Sequence, residues 1–288
     1  MSIIVGRENA SKALIFIIIT YLITMPYDSL LLNYALNYLP RNVPQILLIV
    51  RNYIPLISVA ITASIFGSGV RVALKDYGMR MCRFRYLLLS GLIPYAIYGL
   101  GIIYALIAGI VVVNPMIQLY REYGSNLPEG SEEFVLMMSL LSTLFVGSTI
   151  IALVMVGQEI GWRGLLLTEL RTLLRKSLAA DVLIGIMWGL WYAPLVLLYG
   201  HYYPNHRDLM GVLMIIMTSV LLSMILSKIK LRFNSVLSSA AVLGVLNALY
   251  NLMNHTVVVI DEIYTLPQGL LGALSMSTFL LILFLLRI

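Results

Sequence analysis

The chain has 288 residues, 60% of them hydrophobic and only 11% charged, with a mean hydropathy of +0.95. A soluble domain carries about 25% charged residues, so these figures exclude a soluble globular enzyme and a disordered chain. The single Cys82 excludes an internal disulfide and a cysteine-based metal site. The net charge of +6 reads, in such a chain, as information about topology rather than as a nucleic-acid surface.

Taken in order, apolar runs of spanning length lie at 13–36, 46–70, 86–113, 134–157, 180–200, 208–227, 235–254 and 266–286. The first follows Lys12, has no small-residue cleavage site and is long enough to remain in the membrane. All eight are predicted to be helices, because an open strand cannot satisfy its backbone in lipid. No period-2 alternation suggests a barrel. The expectation is an all-α polytopic membrane protein of about eight transmembrane helices, forming one integral domain over 1–288. The longest outer connection, 114–133, contains Gly124, Pro128 and Gly130.

The connections sort by charge. Arg7, Lys12, Arg71, Lys75, Arg80, Arg83, Arg85, Arg163, Arg171, Arg175, Lys176, Lys228, Lys230, Arg232 and Arg287 fall on one side of this arrangement. Arg41, Arg51, Arg121 and Arg207 fall on the other. Fifteen of nineteen on one side predicts a multi-pass cell-membrane protein with both termini cytoplasmic. The basic loops would attract anionic membrane lipids, with no need for a nucleic-acid partner.

One run resists a simple span. Phe134 to Lys176 contains no proline, and as a single helix would be about 65 Å long, twice the hydrocarbon thickness. It must therefore break or project. Its middle reads Gly157-Gln158-Glu159-Ile160-Gly161-Trp162-Arg163-Gly164. Glu159 and Arg163 are four apart and share a helical face. Counted from Arg175, Glu159 stands about 24 Å along the axis, a depth at which ionisable groups mark function by default. The plainer reading is a neutralising pair that locks two helices. Trp188-Gly189-Leu190-Trp191-Tyr192-Ala193-Pro194 and Asn247 fall at similar depth on two other helices. Taken alone, these read as packing and interhelical hydrogen bonding. Together they predict a shared polar cavity in the cytoplasmic half.

These residues resemble the intramembrane CAAX-protease and bacteriocin-processing family (CPBP, or Abi), over roughly 135–255. The family's first motif, Glu-Glu-x-x-Trp-Arg-Gly, corresponds to Gln158-Glu159-Ile160-Gly161-Trp162-Arg163-Gly164. The second, Phe-Gly-Leu-Trp-His, corresponds to Trp188-Gly189-Leu190-Trp191-Tyr192. The third, His-x-x-x-Asn, corresponds to Leu243 through Asn247. The resemblance implies a metal-free, cofactor-free endopeptidase in which the first Glu activates water and the His and Asn positions hold the oxyanion. Its substrate would be a prenylated or hydrophobic peptide. The candidate catalytic positions are thus Gln158, Glu159, Arg163, Tyr192 and Asn247. Three positions depart from the pattern: Gln158 replaces the base, and Tyr192 and Leu243 replace the histidines. An amide is no base. Glu159 is turned about 100° away and faces Arg163 as its ion-pair partner. The expectation is therefore reduced or absent peptidase activity. The alternative is a non-catalytic scaffold, chaperone or immunity protein that binds a hydrophobic peptide. A transporter fits less well, since no inverted repeat is evident.

All three histidines, His201, His206 and His255, fall on the outer side. Asp261 and Glu262 follow His255 closely, but no HExxH spacing is present, and the histidines read as interfacial groups rather than metal ligands.

Overall fold

The computed structural model describes all residues except 1, 41, 123, 126, 175, 176, 287 and 288, and not the side chains of 2–5 and 177. Arg41, Arg175, Lys176 and Arg287 of the charge count thus lie outside the described residues. The chain folds into helices α1 (Gly6–Tyr38), α2 (Asn42–Ile65), α3 (Val70–Asp76), α4 (Phe84–Ile107) and α5 (Pro115–Glu122). It continues as α6 (Glu132–Leu174), α7 (Ser177–Tyr199), α8 (Leu209–Phe233), α9 (Val236–Thr256) and α10 (Leu270–Leu285). Among the described residues there is no strand, only an isolated bridge between Val112 and Val257.

Among the described residues, seven helices are long and apolar enough to cross a membrane. The eighth apolar run is a shorter helix, α10, of 16 residues or about 24 Å. It starts late because Pro267 lacks an N–H and Gly269 takes an extended backbone before Leu270. It still follows α8 along its length: the Phe284 ring lies 4.4 Å from Lys228 Nζ near the far end of α8.

The helices are dressed for lipid. On α1, Leu14, Ile18, Leu22 and Met25 form an exposed stripe at helical spacing, while Phe16, Thr20, Thr24 and Asp28 are buried. Polar groups inside and leucines outside is the pattern of a bundle whose solvent is hydrocarbon.

Small residues set the helix crossings. A Cβ built on Gly147 would lie 2.6 Å from Val245 Cα, and one on Gly189 would lie 2.7 Å from Ile216 Cα. These contacts bring α6 against α9, and α7 against α8, backbone to backbone. Helix α9 is the innermost, with Ser238, Ser239, Ala240 and Ala241 all buried. Its start is fixed locally. Asn234 adopts the left-handed conformation that ends α8, and Ser235 Oγ then accepts the Leu237 N–H as N-cap of α9.

Helix α6 neither breaks nor stays ideal. It is one helix of 43 residues with two widened π segments, Gly147–Ile151 and Ile160–Leu166. Such π turns recur at functional sites, because the extra residue re-aims the side chains that follow.

Two residues counted among the loop charges lie in the bundle instead. Arg51 is buried in α2, where Nε donates to Asp28 Oδ1 and Nη2 to Asp28 Oδ2, both at 2.8 Å. Arg163 is buried in α6. A buried cation needs an anion, and each has one, so neither reports on topology.

Candidate functional site

The site is built where α6, α7 and α9 meet. Gln158 closes the α-helical stretch Ala152–Glu159 of α6, just before the second π segment. Its Oε1 accepts the Trp188 Nε1–H at 3.0 Å and the Tyr192 hydroxyl at 3.4 Å. Its Nε2 donates to Met155 Sδ at 3.2 Å and to Asn52 Oδ1 at 3.5 Å. Asn247 on α9 donates to Leu243 O at 2.8 Å and reaches Met155 Sδ at 3.7 Å.

Gln158, Tyr192, Leu243 and Asn247 line one cavity with Trp188, Tyr202 and Tyr250. Its solvent-sized volume is about 30 Å³, room for one or two waters. The wall is polar but neutral. Among the described residues that line it there is no carboxylate, imidazole or cation.

Glu159 and Arg163 are placed elsewhere. Both are 0% exposed, and Arg163 Nη1 donates to Glu159 Oε1 at 2.8 Å. The guanidinium lies over the Trp188 ring, 4.0 Å from its centre. Ser239 stands against Glu159, but its hydroxyl proton is committed to Val236 O at 3.0 Å. Glu159 Oε2 and Arg163 Nε and Nη2 have no hydrogen-bond partner among the described residues. Trp188 links the pair to the cavity, its face carrying Arg163 and its edge Gln158. Trp162, between them in sequence, packs edge-on against Phe16 and Trp191.

The cavity lies deeper in the other half of the bundle than the spacing predicted. Tyr192 is about 10 Å from the end of α7 at Tyr199, and Asn247 about 14 Å from the end of α9 at Thr256. Gln158 is about 24 Å from Leu174. The loops after α7 and α9 supply the roof, through Tyr202, Pro267 and Gln268. The cavity is therefore nearest the face that carries the histidines. The sequence estimate erred because it measured depth from single helix ends, whereas these loops fold inward over the site.

Sequence reasoning missed three contributors. The first is the Asp28–Arg51 pair, whose Nη2 also donates to Trp191 O at 2.6 Å. Its guanidinium lies 3.8 Å from the Trp191 ring centre and 5.4 Å from that of Tyr192. A lone acid in the first apolar run and a lone Arg in the second were the available signal. The second is Asn52, in the turn that splits α2. The third is Tyr202, at φ +68°, a left-handed conformation rare for a bulky residue. No sequence feature marks it.

The histidines separate. The His201 ring lies against Tyr202, tilted by 53° with 4.0 Å between centres, and is parallel to the Tyr192 ring at 6.3 Å. Burial, with help from Arg51, pushes its pKa down to about 4. His206, not His255, joins Asp261 and Glu262. Its Nε2 is 2.8 Å from Asp261 Oδ2, while Glu262 accepts Asn205 N at 2.6 Å and Asn205 Nδ2 at 2.8 Å. His255 instead meets Glu122, at 3.0 Å. The ligand atoms of His206, Asp261 and Glu262 lie within 4.8 Å of one another, but each group already has a protein partner. The contacts tie the 200–208 loop to the 257–269 loop.

Residues 139–249 match the family model of Type II CAAX prenyl endopeptidase Rce1-like proteins. No curated protein and no solved structure matches the chain. The matched segment carries Gln158, Glu159, Arg163, Tyr192, Leu243 and Asn247, and so every residue discussed for the CPBP motifs. The protein is a polytopic all-α membrane protein whose central segment is similar to Rce1-like CAAX prenyl endopeptidases.

Proposed function

We propose that this is a CPBP-type intramembrane protein whose peptide-bond hydrolysis is reduced or lost, and which binds a hydrophobic or prenylated peptide with only a backbone carbonyl reaching into the one- or two-water cavity. One observation carries this reading: the motif position of the general base is the Gln158 amide, its oxygen held by Trp188 Nε1 at 3.0 Å. A base must reach the water it activates. The neighbouring carboxylate, Glu159, is sealed against Arg163 on another face of α6. The cavity wall offers hydrogen-bond donors that would suit an oxyanion or a bound peptide carbonyl, but no group that takes up a proton near neutral pH. The protein sits in the cell membrane with the Arg71, Lys75 and Lys228 end, and both termini, in the cytoplasm.

The test is cleavage of prenylated and leader-type peptides by the purified protein, beside Glu159→Gln. The expected result is no turnover above that variant, together with saturable peptide binding. Turnover by the parent that is lost in Glu159→Gln, with the melting temperature retained, overturns the proposal.

A further inference from the structure

At the opposite end from the cavity roof, α3 and the segment after it form a shelf. Val70 and Leu74 share one helical face of α3, and Arg71 and Lys75 the adjoining one, each pair four apart. The chain then returns with Met79, Arg80 and Met81. These seven residues wall a groove of about 770 Å³, the volume of a small-molecule site.

The shelf is anchored. Val236 N donates to Gly78 O at 2.9 Å, and Ser235 Oγ to Arg80 O at 2.6 Å. Both bonds tie it to the start of α9. Arg80 Nε donates to Lys75 O at 3.1 Å, which holds the loop against the helix.

Two features of the groove are unbalanced. Its floor is aliphatic and open, with Met81 92% exposed. Its cations lack anions: among the described residues no carboxylate lies within ion-pair distance of Arg71, Lys75 or Arg80. Asp76, next in sequence to Lys75, is exposed and makes no such pair. Water would satisfy the cations but not the floor. An acyl chain with a phosphate at its head satisfies both, with the Lys and Arg stems lying along the chain.

We infer that this groove is a binding site for an anionic diacyl phospholipid, which holds the α3 shelf in the membrane interface. The inference is independent of the fate of the peptidase motifs.

The experiment is native mass spectrometry of the detergent-purified full chain, offered equal amounts of dioleoyl phosphatidylglycerol and dioleoyl phosphatidylcholine. The protein is expected to retain phosphatidylglycerol preferentially. The variant with Arg71→Gln, Lys75→Gln and Arg80→Gln together is expected to lose about tenfold or more of that retention, since each cation near an anionic headgroup adds to affinity. Arg121→Gln, at the other end of the molecule, leaves it unchanged. Inorganic phosphate alone does not compete. Equal retention of both lipids, equal retention by the triple variant, or full displacement by inorganic phosphate would each overturn the inference. The substituted side chains are exposed, and an unchanged melting temperature establishes that the variant folds.

Discussion

Trp188 joins the two halves of the site: its indole N–H is donated to Gln158 Oε1 at 3.0 Å while its ring face carries the Arg163 guanidinium at 4.0 Å. The neutral cavity and the buried ion pair are thus neighbours across one aromatic ring. Adjacent residues in sequence, Gln158 and Glu159, are separated by it.

That separation predicts how activity could be restored. Gln158→Glu places a carboxylate on the cavity wall, facing Tyr192 rather than Arg163. Alone it lacks the imidazoles. Gln158→Glu, Tyr192→His and Leu243→His combined are expected to give measurable peptide cleavage from an inactive parent. Each missing base or oxyanion donor typically costs about 10²–10⁴ in rate. Single-turnover assays of the single, double and triple variants check this, with activity expected only when the base is present.

The Asp28–Arg51 pair predicts a stability pattern. Removing one partner of a buried pair leaves an uncompensated charge and costs about 3–5 kcal/mol, whereas replacing both by apolar residues is close to neutral. Arg51→Met and Asp28→Leu should each lower the melting temperature in detergent by several degrees. The double variant should recover most of the loss. Additive losses would show that Arg51 acts mainly through Trp191 O and the aromatic rings.

The two loop histidines predict opposite pH limbs. His201 takes up a proton less readily folded than unfolded, with its folded value near 4 against an ordinary 6.5. The unfolded chain therefore binds more protons between those values, and stability falls as pH drops through that window. His206 is shifted the other way, its pKa raised by the bond to Asp261, whose own is lowered by His206. The contribution of His206 is present below pH 6.5 and is lost as pH rises through its folded value; that of Asp261 is present above its unfolded value near 3.8. Melting curves and hydrogen exchange of residues 203–208 across this range should show both limbs. His201→Gln should flatten the acid limb, and His206→Gln the alkaline one.

Tyr202 predicts a change in access. It closes the cavity from a left-handed backbone, a conformation glycine adopts freely. Tyr202→Gly relieves that backbone but loses the ring contacts with His201, Tyr192 and Tyr250, so it should lower the melting temperature by several degrees while uncovering Asn247. In a Cys82→Ser background, Asn247→Cys should react with a water-soluble thiol reagent several-fold faster when Tyr202 is also glycine. An unchanged rate would place the entry to the cavity elsewhere.

Composition and run length alone determined that the solvent is lipid and the spans are helices, because hydrocarbon leaves a backbone no other partner than itself. The Glu159–Arg163 pair was equally legible, since residues four apart share a helical face. So was the resemblance carried by the Trp162-Arg163-Gly164 motif. Only the tertiary structure decided that Gln158 meets Trp188, that Asp28 meets Arg51 across two helices, and that Tyr202 roofs a cavity in the half opposite to the one expected. A helical period fixes what lies one turn away. Which helix lies opposite is set by close contacts such as Gly147 on Val245 and Gly189 on Ile216, made between residues distant in the chain.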